Sequence, residues 1–578
     1  VKSDDLPGLT GGLRFRLRRW WRRVRVKVAV MAWMLLMLAI YQGVNHGQYA
    51  WDRGPPAVDD FVIGTVPWWN DAVFYEVFVR SFQDSDGDGI GDLRGLTSRL
   101  DYLNDGDPGT SDDLEVTALW LMPVMQSPSY HGYDTTDYYT VEEDYGTNDD
   151  FHELVAQAHA RGMRVVIDLM LNHTSDEHPW FADSASGSDA EMRDWYVWRD
   201  EDPGHQVRWA EKLWFPHGGA WYHSTFGDTV ADLNYRNPDV TSQMYDVARF
   251  WVEEMGVDGF RLDAVRHLIE DRTDYNDSFP THRWLRAWDD HLDTLDGQLF
   301  TVGEVWADSR TQASYVTGDE VDAVFEFPLA DGILSSITYQ APGPFARALG
   351  DAMALYPPGQ FAPFLTNHDQ PRVMSMLDGD LASAKLAATT LLTLPGVPFL
   401  YYGEEIGMTG LWPHPAIRTP MQWTSGENAG FSTGGWWTPP NWDAVSINVA
   451  DEDADPDSLL SHYRRVIRLR AAHPALTVGS LRSLDVTCRP VYAHLRSTAD
   501  ASDALLVVLN FSNSEQRDCA LSLPETDLPA GRYGVVDLLS GESAPTLVVG
   551  AAGAFGGYVP ALTLGPRDAL VLQLTAQR

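Results

Sequence analysis

Eight short apolar runs, most of them separated by amphipathic stretches, limit what this chain can fold into more than any other feature. They are AVFYEVFV (72–79), VTALWLMPV (116–124), MRVVIDLML (163–171), VDGFRLDAV (257–265), QLFTVGEVW (298–306), DAVFEFPL (322–329), APFLTNHD (362–369) and GVPFLYYGEEIG (396–407). Segments between them, such as DDFHELVAQAHARG, place apolar residues at helical spacing and close on glycine. A continuously apolar strand must be covered on both faces, and strand–helix alternation supplies that cover from its own crossovers. Eight such units predict an α/β fold of the (β/α)8 TIM-barrel type.

Two departures from this rhythm mark additions to the barrel. The gap between the third and fourth runs is too long for one helix. Residues 173–235, rich in Trp, Gly, His and Asp, are therefore expected to form a small inserted subdomain B on the barrel's active-site face. After about residue 478 the pattern changes to short alternating strands such as DALLVVLNFS and DALVLQLTA, predicting an all-β C-terminal sandwich over 478–578. The barrel would then occupy 66–172 and 236–477.

The N-terminal region is a different kind of sequence. Residues 1–50 carry nine cations against Asp4 and Asp5, and RFRLRRWWRRVRVK runs directly into the apolar VAVMAWMLLMLAI (28–40). A basic flank before about a dozen apolar residues reads as an export signal or membrane anchor with its basic end cytoplasmic, although the run is short of the ~20 residues of a bilayer span. The alternative is an amphipathic extension lying on the protein or on a membrane surface. DRGPPAVDD (52–60) lies in a linker over 51–65. An exported or membrane-anchored catalytic domain outside the cytoplasm is the expectation, otherwise monomeric.

Beyond the leader the charge reverses. The chain has 42 Lys+Arg against 82 Asp+Glu, a net charge of −40, and lysine occurs only at Lys2, Lys27, Lys212 and Lys385. Nucleic acid is excluded as a partner, since its phosphates need a basic face. A strongly hydrated acidic surface fits a salt-rich, halophilic habitat, where screening relieves self-repulsion. Only Cys488 and Cys519 are present, without metal-ligand spacing. They form either a disulfide, which export would permit, or two buried thiols.

In a barrel the carboxyl ends of the strands converge on one site. At those ends stand Asp168, Asn172 and His173 (third run), Arg261 and Asp263 (fourth), Glu304 (fifth), and His368 and Asp369 (seventh). Any one of these taken alone would more often be a cap or an ion pair. Carboxylates, histidines and an arginine from four strands meeting in one pocket are a catalytic set. A glycosidase that retains configuration needs one ionised carboxylate to attack the anomeric carbon and one protonated carboxyl to serve the leaving oxygen. Arg261, two residues before Asp263 on the same strand face, can keep that carboxylate ionised and aimed.

DLMLNH (168–173), ADLNY (231–235), GFRLDAVRH (259–267), GEVW (303–306) and FLTNHD (364–369) resemble, in this order, the short motifs of the α-amylase family of glycoside hydrolases (family 13). The resemblance covers about 66–578. It implies Asp263 as nucleophile, Glu304 as general acid/base and Asp369 as transition-state stabiliser. It also implies sugar contacts at His173 and His368, Tyr133 stacking on a sugar ring and His131 on a hydroxyl, with Asp168 supporting the network. Arg266 and His267 stand where many α-amylases have Lys-His on the leaving-group side. Tyr130 replaces the acidic residue that some exo-acting α-glucosidases carry three positions before the stacking tyrosine, which speaks against a closed one-glucose pocket. Ala264 resembles members that prefer α-1,4 bonds.

DSDGDGIGD (84–92) repeats oxygen donors at Asp84, Asp86, Asp88 and Asp92, with the Ile90 carbonyl between and glycines for tight turning. Hard, closely spaced oxygens predict a Ca2+ loop, against an acidic solvated turn. This loop, IRTPMQW (417–423) and NAGFS (428–432) also resemble the oligo-1,6-glucosidase-like branch with its intermediate α-amylases. The expected activity is endo-hydrolysis of starch and maltooligosaccharides. The alternative is an α-glucosidase or an α-glucan transglycosylase of the trehalose synthase kind. A catalytically silent member is disfavoured, because all three carboxylates remain.

Overall fold

The computed structural model describes residues 67–204, 207–208, 211–270, 275–295 and 297–577. The expected leader (1–50) and linker (51–65) lie outside the described residues. Seven parallel strands form one sheet: Phe74–Val77, Ala118–Leu121, Arg164–Leu169, Gly259–Leu262, Phe300–Gly303, Ala323–Val324 and Phe399–Tyr401. Each pairs with its neighbour in sequence order, except that the last pairs back onto the first, Phe74 opposite Phe399. The seventh run is extended but not a regular strand. Ala362 alone bridges Phe325, while the Phe361 and Pro363 carbonyls accept from Val397 and Phe399 at 3.0 Å each. Pro363 has no N–H to donate, which explains the missing rung. With this segment the ring closes as a (β/α)8 barrel. The sixth run is split, because Glu326 accepts from Leu329 N at 3.2 Å and starts the helix Phe327–Tyr339.

Strand residues alternate in and out, and the inward set is sorted by height. Phe74, Ala118, Val166, Phe300, Val302, Phe325, Phe364 and Phe399 form an apolar plug. Two residues further along the first, third and fourth strands, the same inward positions carry Glu76, Asp168 and Arg261, all buried. The transition from plug to charge marks the floor of the cleft.

Between the third and fourth strands, His173–Ser175 pairs antiparallel with Val230–Asp232, and Trp198–Arg199, Trp214–His217 and Ala220–His223 form a small sheet. Stacked aromatics hold it, Phe181 against Trp198 at 5.6 Å among them. The C-terminal part is a sandwich. A six-stranded antiparallel sheet that includes Val491–Ser497, Ala504–Asn510 and Ala569–Gln577 shares a core with a three-stranded sheet through Leu506, Val508, Leu521, Phe555 and Leu572. Cys488 and Cys519 are joined in a disulfide. Where sandwich meets barrel, Arg470 donates to the carbonyls of Leu392 (3.0 Å), Leu394 (2.7 Å) and Gly396 (2.6 Å), and Arg496 to that of Thr393 (2.7 Å). Together they cover the C-terminus of the helix Leu381–Thr393. Among the described residues no helix is long and apolar enough to cross a membrane.

Candidate active site

The fourth strand supplies the centre. At Gly259, with φ +153°, a Cβ would lie 1.9 Å from the Phe300 carbonyl oxygen, so only glycine lets the fourth and fifth strands pair there. Two residues on, Arg261 sits opposite Asp168 of the third strand in the ladder. Its Nη1 reaches Asp168 Oδ1 and Oδ2 at 2.8 and 3.0 Å and Asp263 Oδ1 at 2.8 Å, while Nη2 reaches Glu304 Oε2 at 2.7 Å. One buried guanidinium therefore ties three carboxylates from three strands. Trp120 lies under it, 5.3 Å from ring centroid to Cζ. The chain then turns sharply: Ala264 has φ +51°, and its N–H points to Glu304 Oε2 at 3.4 Å.

The carboxylates divide electrostatically. Burial raises Asp263 well above the usual range against the pull of Arg261, with Glu304 and Asp168 adding to the rise. Burial also pushes Asp168 up to about 6. Asp369 is the opposite case. Burial would raise it, but Arg418 and Arg261 pull the other way and hold it below the usual carboxylate range. Arg418 Nη2 lies 2.8 Å from Asp369 Oδ1.

The remaining residues expected at the site fall into three groups. Tyr133 and His368 contact the carboxylates, and His131 and His173 contact Tyr133. The Tyr133 hydroxyl is 3.0 Å from Asp168 Oδ2 and 2.7 Å from His368 Nε2, and its ring stacks on His368 at 5.6 Å. His131 Nδ1 accepts from Tyr133 N at 3.2 Å, and His173 Nε2 lies 3.0 Å from the Tyr133 carbonyl oxygen. His267 forms the second group, lining a cavity of about 240 Å³ with Trp214, His223, Asp232 and Tyr275. Arg266 is the third. Nε and Nη2 grip Asp277 at 3.1 and 2.5 Å, and Nη1 donates to the Trp306 carbonyl, so the guanidinium braces one loop against another.

Asp84, Asp86 and Asp88 bring carboxylate oxygens within 4.8 Å of one another. Three hard oxygens so close are of the type calcium takes, and the N–H groups of Gly87 and Gly89 also donate to Asp84, at 2.7 and 2.8 Å. Gly89, with φ +96°, allows the loop to pass Trp436, whose N would be 2.7 Å from a Cβ. Asp92 does not join that cluster. It caps the helix Leu93–Thr97, accepting from Gly95 N at 2.7 Å and from Ser85 N and Oγ at 2.7 and 2.8 Å.

Four site residues escape a reading of the sequence by strand ends. Glu76 contacts His368, Trp306 Nε1 donates to Glu304 Oε1 at 2.6 Å, and Arg418 and His414 reach Asp369 from the loop after the eighth strand. The sequence signal for Glu76 is a lone charge inside an apolar run, since a strand covered on both faces can bury a carboxylate only with a partner.

A closed barrel with a guanidinium among carboxylates at its carboxyl end has the paired carboxylates that chemistry at a glycosidic bond requires. The model described as the catalytic domain of alpha amylase matches residues 76–479, and the chain belongs to the α-amylase family of glycoside hydrolases. It is 38% identical over 455 residues to Alpha-amylase 3 of Dictyoglomus thermophilum, covering 78% of this chain and 86% of that protein. It is 36% identical over 512 residues to the trehalose synthase/amylase TreS of Mycolicibacterium smegmatis, covering 78% and 85%. The crystal structure of the alpha-amylase from H. orenii superposes with a TM-score of 0.75 at 36% identity, covering 87% of this chain and 99% of that one.

Proposed function

We propose that this chain is a retaining, endo-acting α-1,4-glucan hydrolase for starch and maltodextrins. The observation that carries the reading is the Arg261 guanidinium, bonded at once to Asp168, Asp263 and Glu304. It aims the Asp263 carboxylate at the anomeric carbon from one face, while Glu304 delivers a proton to the departing glycosidic oxygen. The covalent glycosyl–Asp263 intermediate is then opened by water, which Glu304 deprotonates, so two inversions give net retention. Asp369, held anionic, faces the positive charge that develops on the sugar ring. Tyr133 offers its ring as a platform, and His131, His173 and His368 serve hydroxyls. An endo mode is supported by Tyr130, which stacks on Trp437 at 5.2 Å and 23° and places an aromatic shelf where an acid would close a pocket. Calcium belongs to the same reading. Asp84, Asp86 and Asp88 would hold it, with the Ile90 carbonyl as a further oxygen, and it would supply charge neutralisation to a loop outside the catalytic set.

Likeness to a trehalose synthase/amylase supports a second reading, isomerising transfer on short α-glucosides. Products from amylose, maltotriose and maltose separate the two. Internal cleavage of amylose, with α-anomers formed first, is expected; rearrangement of maltose without shortening of amylose would establish transfer. Asp263→Asn should lower kcat by about 10⁴-fold or more with the fold retained, and wild-type turnover in that variant would overturn the assignment.

A further inference from the structure

Glu76 lies in the first barrel strand, faces the interior and is 2% exposed. Its Oε1 is 2.5 Å from His368 Nδ1. On the far side of that ring, Nε2 is 2.7 Å from the Tyr133 hydroxyl, which is 3.0 Å from Asp168 Oδ2. Asp168 is bound in turn by Arg261, which also binds Asp263. A continuous line of contacts thus joins the first strand to the attacking carboxylate.

The protons along this line can be counted. A tyrosine hydroxyl has one proton and can accept others. Both Asp168 oxygens accept from Arg261 Nη1, which marks this carboxylate as an acceptor, so the Tyr133 proton points to it. The Tyr133 oxygen then presents only lone pairs to His368, and at 2.7 Å Nε2 must carry a hydrogen. Burial pushes His368 well below its ordinary value. Asp369 opposes this, while Arg418, Arg261 and His414 reinforce it. His368 is fully buried and Arg418 Nε donates to its carbonyl at 3.0 Å, so a second ring proton would set one cation beside another away from water; the imidazole is neutral and its Nδ1 bare. A bare nitrogen 2.5 Å from a carboxyl oxygen is stable only if that oxygen holds a proton. Burial raises Glu76 well above the carboxylate range, against Arg261 and with Asp369 and Asp168. The groups facing the pair agree with the geometry.

We infer that Glu76 is a positioning residue: as a neutral acid it donates to His368 Nδ1, fixes the Nε2–H tautomer, and so presents a hydrogen-bond donor to the cleft. The other tautomer would turn a lone pair toward Tyr133 and toward any hydroxyl docked there. Nε2 also lies 3.4 Å from Asp369 Oδ2, so the same N–H is within reach of the carboxylate that opposes the developing charge. The catalytic consequence rests on the glucan-cleaving reading, whereas the tautomer does not.

Two measurements on the full chain test this. Histidine-labelled protein gives nitrogen shifts that report which ring nitrogen is protonated, with His368 assigned by its loss in His368→Asn. A protonated Nε2 and a bare Nδ1, unchanged from about pH 6 to 8, are expected; a protonated Nδ1 in the wild type overturns the proposal. With a chromogenic maltooligosaccharide, Glu76→Met should lower kcat about 10–100-fold with KM within about threefold. Glu76→Gln, whose amide N–H restores the donor, should recover to within about fivefold. Full activity in Glu76→Met, or equal losses in both variants, would remove the positioning role. If Glu76→Met does not fold, the spectra of wild type and Glu76→Gln decide. If the expected tautomer is seen but no α-glucan is cleaved, the substrate reading fails and the tautomer assignment stands.

Discussion

Arg261 in the cleft, and Arg470 and Arg496 at the joint with the sandwich, are all fully buried, yet they are neutralised in different ways. Arg261 is matched by charge. Burial works against its proton, and Asp168, Glu304, Tyr133 and Asp263 more than restore it, leaving it well above the ordinary value. Arg470 and Arg496 meet only carbonyl oxygens in their recorded bonds, at the end of a helix where the peptide dipoles are negative. Burial lowers Arg470 to about 10 against a weaker pull from Asp71, and burial together with Arg470 lowers Arg496 well below its usual value. Carboxylates can gain and lose protons, whereas carbonyls cannot. The cleft is built from partners whose charge can change during a reaction, and the joint from partners whose polarity is fixed.

Among these arginines the largest expected effect comes from changing the shape of the cleft cation while keeping its charge. In Arg261→Lys an ammonium cannot span three carboxylates as the planar fork does, and kcat should fall by about 10³-fold. A loss under tenfold would show that charge alone suffices, and would dissolve the contrast. Arg470→Met should act on the other axis. Three carbonyls lose their donor in a dry joint, costing about 2–4 kcal/mol in denaturant unfolding. Turnover per folded molecule should stay within about twofold, because no link in the recorded network reaches the cleft. The cost should be the same at pH 5 and pH 9; a pH-dependent cost would mean that an ionisable partner is present.

The loop of Asp84, Asp86 and Asp88 offers a third arrangement, negative charge gathered for a cation from solvent. Removing calcium from a site held at a hundredfold its Kd should withdraw about 2.7 kcal/mol. Melting in excess chelator measures it, and an unchanged melting temperature would leave the loop a plain acidic turn. The smallest effect is a gradual one with pH. Burial pushes Glu404 up to about 8, Glu326 to about 7, and Asp322 and Asp168 to about 6. These acids stay protonated when folded at pH values where the unfolded chain, with carboxyl values of about 4, has released the protons. Below about pH 6.5 buried histidines such as His178 and His462, pushed by burial to about 4, work in the opposite sense, so the fall should show from about pH 6.5 to 8, with a lower melting temperature at the alkaline end. Asp369, held below the usual carboxylate range, has the opposite sign, but its contribution is lost only below about pH 4. A melting temperature that rises across that window would mean these carboxyls are not desolvated.

The barrel and the carboxylate trio were legible because both lie in short contiguous stretches. A strand end such as GFRLDAVRH writes its arginine and aspartate side by side, and alternation then aims both inward. Arg418 and His414 were not legible as Asp369 partners, since the loop that returns them has no periodicity and its path depends on packing. Tyr130 was read only for the acid it replaces; its stacking on Trp437 needed the fold. Arg266 shows the converse limit. A sequence motif names the residue type, but only the structure reveals Asp277 and the Trp306 carbonyl already holding it.

The pairing of the first strand with the eighth has a consequence for how the chain reaches this state. Phe74 meets Phe399, and Tyr75 donates to Glu405 at 2.8 Å across 330 residues. The first strand therefore keeps one edge without its final neighbour until most of the polypeptide has been synthesised. During that interval an apolar strand edge is open to wrong partners. The cleft, which takes Glu76 from the first strand and Arg418 from beyond the eighth, is assembled last, in the same event that removes that open edge. The enzyme is thus inactive for as long as it is most prone to aggregate, and a slow, late rise of activity behind the recovery of secondary structure is the kinetic signature of that closure.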